Sequence, residues 1–419
     1  MRGKMRQAIN DLNIVAVEEG TVIDDEIVQD FDLSFLDLGK SSNMSKTCAF
    51  TGVVIRGNNL LVALPKHYVS IEKFDKLTIK EKLCDIKLIL KTIMEYEINP
   101  NFSSFRKEND LSTKFSFKAY YDVFNYYHQY GLFYKESSIF KTNASGKISW
   151  KKTLNKANKI ISNGNLVFAP FFIKKTAHDE NFVTRCMIFV INYTEELFAD
   201  IIDLPDNSRL LKRGVETVLR DNSGYVIVAL SQIRSRTFKD IDKKLIDDLI
   251  SFFQGLNSNV ESVKDIKHYH YNDIWEKGVE KYLNRHFSGI INTTFNFMDK
   301  GLVGPFKKIT LSQYDKANPR NIMQPDHYYY DSSDDTQYIF DSKYYRFLNS
   351  INYKQVVYHM LMINRAAHTY DALIMPTEEI TYTEKHLDLS ENYIISPSYP
   401  ITILLLHLNT NDVLNDFIS

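Results

Sequence analysis

The sequence predicts a mixed α/β (α+β) protein: an N-terminal β-rich mixed domain, then a smaller unit whose central mixed sheet is flanked by helices. Three observations carry this. Apolar residues recur at helical spacing in several long windows, and short runs rich in Val, Ile, Tyr and Phe lie between them. Near residue 260 the order changes to helix, strand, strand, helix, strand. The length of 419 residues leaves room for two or three domains with separate cores.

Composition narrows the function classes. Hydrophobic content of 44% and charged content of 25% are those of a soluble globular protein. A net charge of −1 excludes a chain that holds nucleic acid by overall charge, so phosphate contacts must come from a local patch or from bound cations. Cys48, Cys84 and Cys186 are scattered, with no C-x-x-C, which excludes a disulfide framework and a zinc ribbon and points to a reducing cytoplasm. The start "MRGKMRQAINDLNIVAVEEG" lacks the apolar core of a signal peptide, and "ITILLLHL" is too short to span a bilayer. A cytoplasmic protein with no membrane partner is expected.

Residues 1–45 are acidic and irregular and read as an arm or an edge structure. "CAFTGVVIRGNNLLVALPKHYV" (48–69) gives two β-rich runs joined at Gly57-Asn58-Asn59, a hairpin signal. Helices are expected over 77–96 and over 118–133, the latter stopped near Gly131. "GKISWKKTLNKANKII" (146–161) follows, then strands in "LVFAPFFIKK" and "RCMIFVINY". Helices are expected at about 192–201, 207–220 and 238–255, with 221–233 open between strand and helix. The polar run 255–273 marks the expected boundary between a domain at 46–260 and one at 261–419. The second domain opens with the helix "IWEKGVEKYLNRHF", continues with a strand pair and the helix "NYKQVVYHMLMINRAA", and ends with strands in "DALIMP" and "PITILLLHL".

The chemistry concentrates in "IMQPDHYYYDSSDDTQYIFDSKYYRF" (322–347). Residues two apart in a strand share a face, so Asp341 and Lys343 emerge side by side. The turn "DSSDD" brings the preceding strand back alongside, which adds Asp326 to the same end of the sheet. Adjacent carboxylates repel unless a cation lies between them, and oxygen ligands of this kind suit Mg²⁺, with Mn²⁺ able to substitute. A lysine beside them can orient the attacking water or stabilise charge on a phosphate, which is the equipment of metal-assisted phosphodiester hydrolysis. For D-x-K alone, a solvated cross-strand pair on a surface hairpin is the blander account. Here a P-D opens the preceding strand and a helix carrying Gln355 follows, and that combination resembles the PD-(D/E)xK nuclease signature in its D-S-K form. Glu276, or Glu280 one turn later, is the candidate for a further acidic ligand from the opening helix. His359 is more simply a core or surface histidine than a cleft residue. "LGKSS" (38–42) lacks the first glycine of a phosphate-binding loop, and the pair His268 and His270 lacks a third metal ligand.

The first half extends the resemblance. The hairpin ending in L-P-K-H-Y, the box "GKISWKKT", the I-W-E helix, the P-D…D-S-K…Q block and "ALIMPTEE" together resemble the LlaJI-type restriction endonuclease family, whose members are similar to McrC. The resemblance implies a Mg²⁺-dependent endonuclease acting on double-stranded DNA. It also implies that this chain is the cleaving subunit of a restriction complex, docked through its N-terminal half on a McrB-like AAA+ GTPase ring. On that reading the catalytic residues are Asp326, Asp341, Lys343, Gln355 and Glu276, with Asp326, Asp341 and Glu276 at the metal. Lys281, Arg285, Lys307, Lys308 and Arg320 are basic residues placed to follow a DNA backbone, or scattered surface charges. A non-catalytic binding subunit and a stand-alone repair or transposition nuclease are the other functions the residues leave open.

Overall fold

The hairpin expected around Gly57 lies inside a five-stranded sheet. The computed structural model describes residues 13–40, 44–102, 110–113, 115–142, 145–198, 215–258, 263–298, 306–312, 314–318, 320–348, 350–390 and 401–419. Strands β1 (Asn13–Glu18), β2 (Thr51–Arg56), β3 (Asn59–Leu64), β4 (Leu111–Thr113) and β5 (Val263–His268) form the sheet in the order β1-β3-β2-β5-β4. β1 runs parallel to β3 and every other pair is antiparallel. Gly52 sits at φ +139°, where an added Cβ would lie 2.0 Å from the Ile266 carbonyl oxygen, so the close approach of β2 and β5 requires glycine there. Helix α1 (Ile79–Ile98) starts with a capping box in which Thr78 and Glu81 satisfy each other's main-chain N–H groups.

Of the two readings of the acidic start, the described part, 13–40, follows the edge structure, since it includes β1 at the edge of this sheet. The polar run at 255–273, expected as a boundary, holds a junction between two compact units at 259/260, but its second half contains β5, which pairs on both sides. Its polarity was misleading because its charges compensate one another inside the protein. Lys267 Nζ lies 2.9 Å from Asp37 Oδ1 and 3.3 Å from Asp265 Oδ2, with all three residues buried.

A second five-stranded sheet comprises β6 (His327–Asp331), β7 (Thr336–Ser342), β8 (His368–Thr377), β9 (Tyr382–Asp388) and β10 (Thr402–Asn409), in the order β6-β7-β8-β10-β9. The inner pairs β7–β8 and β8–β10 are parallel and the outer pairs antiparallel, so the sheet is mixed, as expected. β7 is buried along nearly its whole length, which a Tyr/Ile/Phe-rich strand demands. Helix α2 (Tyr271–His286) buries Ile274, Trp275, Val279 and Leu283, and helix α3 (Tyr353–Met362) buries Gln355, Tyr358, His359 and Met362. Helix α4 (Thr410–Ile418) closes the chain; a Cβ on Gly278 would meet Val413 at 2.8 Å, so α2 and α4 pack closely.

The chain divides into two compact units, and the division differs from the expected domain limits. Residues 1–114 join 260–419 in one unit, which therefore holds both sheets; the other consists mainly of 115–199 and 204–259. The second unit contains helices Phe117–Tyr130, Phe182–Phe198, Ser223–Ser235 and Asp240–Ser258, a three-stranded antiparallel sheet, and the ribbon Asn158–Ser162/Asn165–Ala169. "RCMIFVINY", expected as a strand, lies inside the helix Phe182–Phe198, and 221–233 is helical too. Val183, Cys186, Met187, Phe189, Val190 and Ile191 are all buried, and a segment apolar on every face carries no period to separate strand from helix. The helix expected at 192–201 is the end of that same helix, and most of the one expected at 207–220 lies outside the described residues. Among the described residues no helix is long and apolar enough to cross a membrane.

Candidate active site

The register of the β6–β7 hairpin builds the site. His327 pairs with Phe340, so the next antiparallel step sets Asp326 opposite Asp341 at the open end of β7. Asp326 is held by the main chain: its Oδ2 accepts from the Ser342 N–H at 3.1 Å. Asp341 is buried, and its Oδ2 accepts from Lys343 Nζ. Its Oδ1 is buried with no hydrogen-bond partner, and Lys354 Nζ lies 3.7 Å from it. Burial and the negative charge of Asp326 both push the Asp341 carboxyl above the usual carboxylate range, against the pull of Lys343 and Lys354. Two carboxylates and a lysine therefore meet at one sheet end, with one acceptor atom unsatisfied.

Glu276 reaches the same place from α2. Its neighbours Ile274 and Trp275 are buried, which turns Glu276 toward the segment 306–312. Lys308 Nζ there contacts Glu276 Oε1 at 2.9 Å and Asp326 Oδ1 at 3.2 Å. Burial alone would favour the neutral amine, but the hydrogen bond and charge of Glu276 and the charge of Asp326 outweigh it, so the Lys308 pKa is raised. Glu280, the alternative ligand, is engaged instead with Lys277 at 2.8 Å.

Gln355 is fully buried on α3 and faces β7 and β8. Its Nε2 donates to the Ile339 carbonyl at 2.7 Å and to Asp371 Oδ1 at 3.3 Å, and its Oε1 has no hydrogen-bond partner. His359 is buried against Asp371 Oδ2 at 2.5 Å, which makes it a core histidine. Of the basic candidates, Lys281 and Arg285 are engaged with α4, through the Phe417 carbonyl and the Asp416 carboxylate, while Lys307 and Arg320 are exposed.

Sequence reasoning missed two members of this neighbourhood, Lys354 and His327, and gave a third, Lys308, only as a basic residue for a DNA backbone or a surface charge. Lys308 is brought to Asp326 by backbone bridges that no motif signals: Lys307 exchanges main-chain hydrogen bonds with Tyr328, and the Ile309 N–H points to the Pro325 carbonyl. Lys354 stands one residue before Gln355 and was overshadowed by it. His327, next to Asp326, contacts Ser342 Oγ through Nε2 at 2.7 Å; burial pushes its imidazole down to about 3, so it stays neutral.

Among the described residues no three His, Cys, Asp or Glu side chains gather closely enough to form a metal cage. The donor set fits Mg²⁺ nonetheless, since that ion keeps several waters and needs only one or two carboxylates plus substrate oxygens. The unsatisfied, buried Oδ1 of Asp341 and the mutual repulsion of Asp341 and Asp326 are what such a cation would relieve.

A mixed sheet flanked by helices, with an acidic and basic cluster at the end of a central strand, is a restriction-endonuclease-like α/β fold. The LlaJI restriction endonuclease model matches residues 50–358, and the chain belongs to that family. The match spans Glu276, Asp326, Asp341, Lys343 and Gln355. No curated protein matches the chain. One solved structure aligned with it is a half-complex from a tetradecameric assembly of Thermococcus gammatolerans McrB AAA+ hexamers with bound McrC. Sequence identity is 13%, coverage 97% of this chain and 98% of that one, and the TM-score 0.39; a likeness this loose carries no inference.

Proposed function

We propose that this chain is a Mg²⁺-dependent DNA endonuclease of PD-(D/E)xK type and the cleaving subunit of a restriction complex, with a McrB-like GTPase as its partner. The observation that carries the catalytic reading is Asp341: buried, set opposite Asp326, paired with Lys343, and left with one unsatisfied oxygen. Asp326 and Asp341 would hold the ion, with Glu276 beside them. Bound Mg²⁺ would supply a Lewis acid for the phosphate oxygens and a water acidic enough to attack at neutral pH. Lys343 presents its ammonium at the sheet end, where it steadies negative charge building on the phosphate. Gln355 is clamped through its amide N–H groups, which leaves its Oε1 to accept from a water at the site.

The partner reading rests on family resemblance and on one surface. In the ribbon of the second unit, Leu166 pairs with Ile161 and Val167 with Ile160, and these four side chains are 42–78% exposed. Paired residues share a face and successive ones alternate, so the ribbon offers apolar side chains on both faces. Trp150 and Phe171, close in sequence, are exposed as well. Exposed apolar area of this extent in one segment marks an interaction surface.

Plasmid cleavage in Mg²⁺ with and without a McrB-like GTPase and GTP tests the proposal. Cleavage that needs the partner and GTP supports the restriction-subunit reading. Metal-dependent cleavage by the lone chain would keep the nuclease and overturn the dependence on a ring. Failure to cleave in any combination, despite an assembled complex on DNA, would favour a binding subunit.

A further inference from the structure

Lys308 stands where a cation is wanted. One ammonium contacts Glu276 at 2.9 Å and Asp326 at 3.2 Å, two of the three carboxylates assigned to metal, while the third, Asp341, is served by Lys343 and Lys354. Its place is built by the backbone rather than by a wandering side chain. The two Lys307–Tyr328 main-chain hydrogen bonds, at 2.9 and 3.1 Å, and the Ile309 N–H to Pro325 carbonyl contact lay the segment along the edge of β6, so residue 308 falls beside Asp326. Leu311 and Met323 extend the pairing with two more main-chain hydrogen bonds. The side chain of neighbouring Lys307 is exposed instead.

We propose that Lys308 is a built-in counter-ion, which gathers Glu276 and Asp326 before a divalent cation arrives and competes with that cation for them. The inference rests on the metal-site reading above and goes beyond it by assigning a residue that opposes loading. An ammonium and a divalent ion between the same two carboxylates repel each other at short range, so metal entry must displace Nζ. The Lys308 side chain is 32% exposed, which gives it a way out to solvent. Without Lys308, the two carboxylates would be held near each other with no cation between them, which costs stability in the metal-free protein and favours the metal-bound one.

Calorimetric titration with Mn²⁺ in the absence of DNA tests this on the full chain. Lys308→Met is expected to bind Mn²⁺ about tenfold more tightly than the wild type, while Lys307→Met, which removes the same charge one residue away, stays within about twofold. Equal affinity in Lys308→Met and wild type overturns the proposal, as does equal tightening in both variants, which would mean only a general loss of charge. A second readout needs no variant: amine acetylation of wild-type Lys308, followed by mass spectrometry, should rise on adding Mn²⁺, and unchanged labelling overturns the displacement. Asp341→Asn separates the two levels. Loss of Mn²⁺ binding in that variant keeps the metal site whatever Lys308→Met does, whereas no Mn²⁺ binding by any form overturns both.

Discussion

The main-chain N–H of Lys66 donates to the phenol oxygen of Tyr344 at 2.8 Å, joining residues 278 positions apart in sequence. Tyr344 directly follows Lys343, and its hydroxyl in turn donates to Glu19 Oε2 at 3.0 Å. Around this contact Lys66 Nζ lies 3.3 Å from both Glu19 Oε1 and the Tyr344 carbonyl, His67 meets the Arg346 carbonyl at 2.9 Å, and Arg346 donates to Glu18 at 2.9 Å. The L-P-K-H-Y segment is thus the seam that fixes the strand end carrying Lys343 to the first sheet.

Removing the phenol oxygen should weaken that seam. Tyr344→Phe leaves the Lys66 N–H without its partner and takes from Glu19 Oε2 one of its two donors, Thr51 Oγ1 at 2.8 Å remaining, at a cost of about 1–3 kcal/mol. Urea denaturation measures it, and unchanged stability would mean that water replaces the hydroxyl at no cost.

Lys343→Ala should leave the fold intact, because Asp341 keeps Lys354 3.7 Å from its other oxygen. Cleavage should fall by at least about a hundredfold, the scale of losing a charge that stabilises the transition state. Far-ultraviolet circular dichroism and a plasmid assay on the same sample check both halves.

Asp248, on the helix Asp240–Ser258, gives a pH signature to the second unit. Burial first, then the charge of Asp122, raises its carboxyl to about 7 from an ordinary value of 3.8. A carboxyl raised on folding favours the folded state fully below pH 3.8, and that favour is lost as pH rises through about 7. Asp248→Asn should therefore stabilise the protein at pH 8 by about 1–2 kcal/mol, discounted for the partly exposed site, and the gain should vanish near pH 4. Denaturant midpoints of both proteins across that range provide the check.

The exposed ribbon should matter to assembly and not to chemistry. Ile161→Asp with Leu166→Asp is expected to weaken binding to a McrB-like ring about tenfold or more while leaving Mn²⁺ binding unchanged. Undiminished association of that variant would move docking to another surface.

Much of this was legible beforehand, for identifiable reasons. Asp341 and Lys343 share a strand face by spacing alone, the turn at 331–335 fixes the hairpin register, and Gln355 falls on the buried stripe of α3 by helical period. Lys308 was not legible as part of the site, because its position comes from edge pairing across residues 307–328 rather than from any local pattern. β5 was hidden by Asp265 and Lys267, whose burial is bearable only because Asp37, far off in sequence, lies against Lys267. The helix Phe182–Phe198 was hidden for the opposite reason, being apolar on too many faces to show a period.

The central claim is that Asp341, opposite Asp326 and beside Lys343, is the pivot of a metal-dependent phosphodiester hydrolase. Plasmid cleavage by wild type and by Asp341→Ala, in Mg²⁺ and in EDTA, each with a McrB-like GTPase and GTP present, tests it most directly. The expected result is cleavage by the wild type in Mg²⁺ alone and none by the variant. Cleavage by Asp341→Ala at the wild-type rate would contradict the account.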